Sequence, residues 1–287
     1  MLWRLRDREI HFPRRPLVMG IVNINDDSFC ADGTLDPAAA LEIARQQLAE
    51  GADIIDAGAE SARTNRAAIS VDEEIARLRS FLAGWPDLVA RSQPRDSIQL
   101  WPPVLSINTW RPEVVAAIVT DPAVALVNDM GGLPDDRNAR LCAAAGVALL
   151  VMHSVGEPKV PHFHQQWDDV MGSLAAFFVE KIALCEAAGL SRERLILDPG
   201  IDFAKQKDDN LMIYQQLDQL QRFGCPVLVP VSRKTVIGET LGIPEPARRD
   251  AGTVACISAA MRRGAQVFRV HNVPAAWQAA GVLFALK

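Results

Sequence analysis

The chain has 287 residues, 49% hydrophobic and 23% charged, enough apolar matter for one large or two ordinary domains. A formal net charge of −5 gives no general attraction for nucleic acid or an acidic membrane surface, so any anion site must be a local cluster. Five cysteines without metal-ligand spacing point to reduced thiols in a cytoplasm, against a disulfide framework or a zinc site, and neither a signal-peptide core nor an apolar run of membrane-spanning length is found.

In chain order, WRLRDREIHF (3–12) reads as a two-stranded ribbon, and residues 1–16 are set apart from everything that follows. LVMGIVNI (17–24) is the first of eight short apolar runs; the others are ADIIDAG (52–58), VLSINT (104–109), ALVNDM (125–130), ALLVMH (148–153), LILDPG (195–200), VLVPVS (227–232) and VFRVH (267–271). Each is nearly continuous in Val, Ile and Leu, the pattern of parallel strands buried on both faces. Helical spacing fills the gaps at 36–50, 72–83, 111–119, 136–145, 167–189, 209–222, 246–263 and 274–286. The Pro-rich stretch 94–103 precedes the third run and belongs on the floor of the fold. Eight alternations of strand and helix predict an α/β fold, a TIM (β/α)8 barrel over 17–287 with an N-terminal β-ribbon on its floor.

Active sites of such barrels lie at the C-terminal ends of the strands. Here those ends are polar almost without exception: Asn23; Asp56 with Glu60, Ser61 and Arg63; Asn108; Asn128 and Asp129; His153; Asp198; Ser232, Arg233 and Lys234; Arg269 and His271. The cations gather on strands seven and eight, where these barrels often hold phosphate, and make an anion clamp of Lys234, Arg269 and His271 with Arg63 in support. Asn108, Asn128 and Asp198 offer mixed donors and acceptors that suit the edge of a flat heterocycle. Arg233, beside Lys234, is expected to pair structurally.

The stretches MGIVNINDDSF, GADIIDAGAESAR, LVNDM, LILDPG, VSRKTVIG and VFRVHNV resemble the dihydropteroate synthases of folate biosynthesis, from about residue 17 to the C-terminus. VSRK and RVH together are the most specific of these. The resemblance implies a transferase that joins 6-hydroxymethyl-7,8-dihydropterin diphosphate to 4-aminobenzoate and releases diphosphate, with Mg²⁺ as cofactor. It implies that Asn108, Asn128, Asp198, Met152 and Lys234 bind the pterin, and that Asn23 meets the diphosphate and its Mg²⁺. Arg269 and His271 would hold the leaving group, aided by Arg63. Thr235 and Lys234 would lie by the aminobenzoate carboxylate, with Phe29 against its ring. Small-molecule partners, a cytoplasmic location and a homodimer packed through the Ala-rich helices 246–263 and 274–286 also follow; nucleic acid and membrane do not.

Several positions depart from the family pattern. SINT puts Asn108 where S-x-D-T has an acid, GAESARTNR replaces GGESTRPGA, Asn25-Asp26 replaces a Thr-Pro pair, Pro230 stands where glycine is common, and Asp202 where the family tends to have glycine. They leave other readings open: a pterin-binding paralogue without synthase activity or with another acceptor, a methyl-tetrahydrofolate-dependent methyltransferase, and a Schiff-base aldolase using Lys234.

Overall fold

The computed structural model describes residues 1–26, 33–61, 67–162 and 164–286. The chain opens with an antiparallel ribbon of β1 (Leu2–Arg4) and β2 (Glu9–His11). Then come β3 (Leu17–Asn23), α1 (Pro37–Ala49), β4 (Ile54–Gly58), α2 (Val71–Arg91), β5 (Val104–Asn108), α3 (Pro112–Ile118), β6 (Val124–Asp129), α4 (Arg137–Ala145) and β7 (Ala148–Met152). The second half runs α5 (Val170–Ala187), β8 (Leu195–Asp198), α6 (Lys207–Gln216), β9 (Leu228–Val229), α7 (Thr235–Leu241), α8 (Asp250–Arg262), β10 (Val267–Val270) and α9 (Val273–Ala285). The eight strands β3 to β10 pair in parallel, with β10 between β3 and β9. A parallel bridge from Leu197 to Val227 joins β8 to the start of β9 and closes the barrel. The expected fold is therefore observed, with each of the eight apolar runs holding one strand.

Alternation along the strands sorts the apolar residues into two cores. Leu17, Met19, Ile54, Val104, Leu126, Ala148, Leu150, Ile196, Leu228 and Val267 point inward and fill the barrel. Their neighbours Val18, Val22, Ile55, Leu105, Ile107, Val127, Leu149, Leu197 and Phe268 point outward and pack beneath the helices. Burying side chains of this kind is worth about 1.5–3 kcal/mol each, which offsets the ordering of so long a chain. Trp3, Leu5, Ile10 and Phe12 of the ribbon join the inner core from below, so the ribbon plugs the floor. There the buried Arg15 pairs with Asp53 at 2.8 Å, and Asp53 also accepts from the amides of Val18 and Leu100, which holds the 94–103 segment against the floor.

Two helices differ from their expected extents. α2 continues to Arg91, through Gly84 and Pro86, residues that break helical spacing in the sequence. Leu78, Phe81, Leu82, Trp85 and Leu88 form one buried stripe along it. That burial outweighs the roughly 3 kcal/mol cost of an internal proline. Gly84 meets Leu41 of α1 where a Cβ would collide. α6 stops at Gln216, and the chain continues as a 3-10 turn over Leu217–Phe223.

Candidate active site

The period-two alternation that builds the core also selects the residues of the mouth. Inward positions carried one step beyond the apolar layers are Asn23 on β3, Gly58 on β4, Asn108 on β5, Asn128 on β6, Met152 on β7, Asp198 on β8 and Arg269 on β10. With Pro230, Ser232, Lys234 and His271 from the loops that follow β9 and β10, and Thr235 at the start of α7, they line one cavity of about 260 Å³. All the proposed site residues that fall within the described part of the chain share this cavity; Phe29 and Arg63 lie outside the described residues. Not every polar strand end lines the cavity. Asp129 and His153 have the opposite parity and face outward: Asp129 accepts from Asn138 at 2.8 Å, and the His153 ring packs against Trp167 and Phe177.

Beneath the cavity, Asp56 is the hub of a buried hydrogen-bond network. It is fully buried and accepts from Ser106 at 2.6 Å, Asn128 at 2.9 Å, Asn108 at 3.3 Å and the Arg269 guanidinium at 2.7 Å. One carboxylate therefore orients the side-chain amides of Asn108 and Asn128 and the guanidinium of Arg269. The sequence placed Asp56 at a strand end and gave it no role; the available signal was an acid inside an otherwise apolar strand.

Asp198 lies across the cavity. Its carboxylate accepts from the Gly200 amide at 2.7 Å. Burial raises its pKa to about 6, against the opposing pull of that amide and of Lys234, Lys205 and Arg269. Lys234 donates to the Ile201 carbonyl at 2.8 Å and stands 5.0 Å over the Phe203 ring. Its pKa is held below the usual lysine range, chiefly by burial. His271 shares a 2.8 Å hydrogen bond with the Ser232 hydroxyl, which also accepts from the His271 amide at 3.1 Å. Arg233 turns away from the cavity and makes two hydrogen bonds to Asp250, at 2.7 and 3.1 Å, so the row Ser-Arg-Lys divides its work between site and scaffold.

Two further groups around the mouth had no role assigned from the sequence: Lys205, which it did not single out, and Glu60, which it placed at a strand end. Lys205 sits behind Asp198, buried, bonded to His153 Nδ1 and the Phe203 carbonyl, both at 2.9 Å. Burial brings its pKa down to about 7. Glu60 accepts from the amides of Ser61 and Ile69, from Lys159 at 2.8 Å and from Arg111 at 3.1 Å, so it ties together the two stems of the loop after β4. Nothing in the spacing of Lys159 or Arg111 marks them as its partners, since they arrive from other barrel units.

The family model for pterin binding enzymes matches residues 19–271. A dihydropteroate synthase of Neisseria meningitidis serogroup C is 35% identical over 93% of this chain and 94% of its own length. The chain belongs to the dihydropteroate synthase family. Of the readings left open by the sequence, these relatives single out the synthase, a transferase on a pterin-binding barrel. Among solved structures, the Yersinia pestis dihydropteroate synthase in a sulfonamide drug complex aligns with a TM-score of 0.88 at 32% identity, covering 100% of this chain and 99% of that one. The Thermus thermophilus dihydropteroate synthase, solved with 4-aminobenzoate, aligns at 0.84 with 35% identity and full coverage of both chains. The same Thermus synthase has also been solved in complex with 6HMPPP, aligning at 0.82 with 34% identity and again covering both chains fully.

Within the family frame, Asn108 takes on a definite meaning. The acid expected on β5 is absent, but the carboxylate of Asp56 lies one layer deeper on β4 and is bonded directly to the Asn108 amide. A carboxylate therefore stands directly behind Asn108 on that side of the cavity.

Proposed function

We propose that the chain condenses 6-hydroxymethyl-7,8-dihydropterin diphosphate with 4-aminobenzoate and releases diphosphate. The observation that carries this reading is the sharing of one cavity by the ring-reading set Asn108, Asn128 and Asp198 and the cations Lys234 and Arg269 with His271. A flat heterocycle fits the first set and a diphosphate the second. The bond between them, from the exocyclic methylene carbon to the ester oxygen, then lies at their junction.

Each residue has a share in the reaction. Asn108 and Asn128 are oriented by Asp56 and present their amides to the pterin edge. Asp198, when ionised, accepts from the ring N–H groups. As the C–O bond breaks, its electron pair leaves with the diphosphate, and the positive charge on the methylene spreads into the ring. Lys234, Arg269 and His271 stabilise the departing anion, and Arg63 is assigned to the same task. The acceptor nitrogen closes on the methylene carbon through its lone pair and gives up a proton to solvent. No enzyme nucleophile takes part, and burial pushes the thiols of Cys185 and Cys225 up to about 12, where they stay protonated.

Mg²⁺ would join this site with the diphosphate. Among the described residues no group of three or more Asp, Glu, His or Cys side chains could hold a cation alone. Asn23, which lines the cavity, would offer the ion one hard amide oxygen. When bound, the ion supplies charge neutralisation for the leaving diphosphate.

The protein is assigned to the cytoplasm and to a homodimer packed through α8 and α9, where Val282, Phe284 and Leu286 are exposed. Among the described residues no helix is long and apolar enough to cross a membrane. Sedimentation analysis checks the dimer.

The deciding experiment is a product assay with the pterin diphosphate, 4-aminobenzoate and Mg²⁺, run beside calorimetry on Lys234→Ala. Dihydropteroate and diphosphate are expected in equal amounts, and the variant is expected to lose pterin diphosphate binding. Unchanged affinity in Lys234→Ala would overturn the assignment of that residue, and absence of product would overturn the reaction.

A further inference from the structure

At the rim, the cavity carries an acid that the proposed reaction does not use. Asp202 lies four residues beyond the end of β8 and lines the cavity beside Phe203, Lys234 and Thr235. Its carboxylate is already committed. One oxygen accepts from the Thr235 amide; the other accepts from the Val236 amide at 3.3 Å and from the side chain of Asn210 at 3.2 Å. Asn210 is itself buried, and its amide oxygen accepts in turn from the Asp202 backbone at 2.9 Å, so side chain and backbone are both held in place. The Asp202 backbone has φ 67°, the left-handed region that glycine and asparagine occupy with least strain. The backbone at this position therefore also suits glycine or asparagine.

The consequence concerns the acceptor, and it rests on the reaction proposed above. An arylamine whose nitrogen attacks the methylene carbon extends its ring away from the pterin, toward Phe203, Pro230 and Thr235. Among the described residues, the donors available there to the substituent opposite the amine are Lys234 and the amides and hydroxyl around Thr235. Asp202 has taken two of those amides, and its fixed negative charge offsets the positive charge of Lys234. A carboxylate arriving at this rim meets a resident carboxylate, whereas an uncharged substituent does not.

We propose that Asp202 is a specificity-determining residue, which lowers the preference of this site for an anionic arylamine over an uncharged one. Asp202 does no chemistry, and whatever its charge does through Lys234 to the pterin diphosphate is common to both acceptors. Its effect on specificity is read in the ratio between acceptors, and that ratio cancels any change in pterin diphosphate affinity.

The test compares kcat/KM for 4-aminobenzoate with kcat/KM for 4-aminobenzamide, its uncharged counterpart, in wild type, Asp202→Gly and Asp202→Asn. Both substitutions suit the backbone conformation, and Asn keeps an oxygen for the Thr235 amide while removing the charge. The carboxylate-to-amide ratio is expected to rise at least tenfold in Asp202→Gly and several-fold in Asp202→Asn. Ratios within twofold of wild type in both variants overturn the proposal while leaving the synthase reaction standing. Absence of product from every protein with either acceptor overturns the reaction instead. Asp202 is then judged by calorimetric titration of the same two arylamines in the presence of diphosphate and Mg²⁺. In that titration an equal Kd ratio in wild type and Asp202→Gly overturns the proposal, and a tenfold shift supports it.

Discussion

The guanidinium of Arg269 lies 2.7 Å from a carboxylate oxygen of Asp56, so a cation of the last barrel strand is anchored to an acid of the second. Asp56 has no exposed surface and also receives Ser106, Asn108 and Asn128. Asp56→Asn would turn a four-fold acceptor into a group that carries two donors among donors. Loss of one partner from a buried ion pair costs about 3–5 kcal/mol. The variant is expected to lose at least about 3 kcal/mol of unfolding free energy at neutral pH, read by urea denaturation. Misplacing both ring-reading amides should lower kcat/KM for the pterin diphosphate by about 100-fold in protein that remains folded. Asp56→Asn with Arg269→Met should recover part of the stability and none of the activity.

As the proposed acceptor of the ring N–H groups, Asp198 is expected to set the acid limit of the reaction. Its pKa is raised to about 6 by burial, and only the ionised carboxylate accepts the ring N–H groups. In the free enzyme the fraction ionised falls tenfold for each pH unit below that value. kcat/KM for the pterin diphosphate is therefore expected to decline with unit slope below about pH 6, while kcat at saturating substrate declines at lower pH, because bound substrate favours the ionised form. A profile of kcat/KM that stays flat down to pH 5 would remove Asp198 from this role.

Much of this site was legible in the sequence. Eight apolar runs placed the strands, and the polar residue that closes each run placed the mouth, because a barrel brings all its strand ends together. Parity decided the rest. Asn128 and Asp129 are adjacent in sequence, yet Asn128 lines the cavity and Asp129 caps a turn outside it, with burial raising its pKa to about 6. The same split separates Met152 from His153. The Asp56–Arg269 pair spans more than two hundred residues, and Lys205 meets His153 across two barrel units; such pairs are fixed by packing and carry no local signal. Pro86 shows the converse, a local signal overridden by the buried stripe on either side of it.

Asn108 offers a direct test of how much negative charge the pterin site requires. One charge about 4 Å from a developing cation, at an effective dielectric near 20, is worth roughly 4 kcal/mol before solvation costs. Asn108→Asp would add that charge, but its carboxylate would sit where the amide now lies 3.3 Å from an oxygen of Asp56. Two acids sharing a site raise one another's pKa. The variant is expected to increase kcat at least about tenfold at pH 8, with the acid limb of its profile moved to higher pH than in wild type. An unchanged kcat at pH 8 would show that Asp56 already supplies the charge the transition state needs.

Lys205 makes the opposite demand on pH. Its pKa falls from the usual lysine value of 10.5 to about 7, and the largest cause is burial. Between these two values the unfolded chain holds a proton that the folded chain has released, so stability rises with pH through that window. Below about pH 7 both states are protonated and the full cost of a buried ammonium is present; above 10.5 that cost is gone. Other buried groups complicate the raw curve, since thiols with raised pKa values, such as that of Cys225, lower stability over part of the same range. A difference curve removes them. The unfolding free energy of wild type minus that of Lys205→Met is expected to climb between about pH 7.5 and 9.5, with a slope approaching about 1.4 kcal/mol per pH unit. Methionine keeps the length of the side chain but leaves His153 Nδ1 and the Phe203 carbonyl without their donor, which costs about 1–3 kcal/mol per group. That cost is nearly independent of pH in this window, because His153 has its pKa pushed down to about 3 by burial and by Lys205 and stays neutral. It shifts the difference curve as a whole and leaves its slope intact, so a flat difference curve would mean that Lys205 remains charged in the folded protein, screened by Asp198 in spite of its burial.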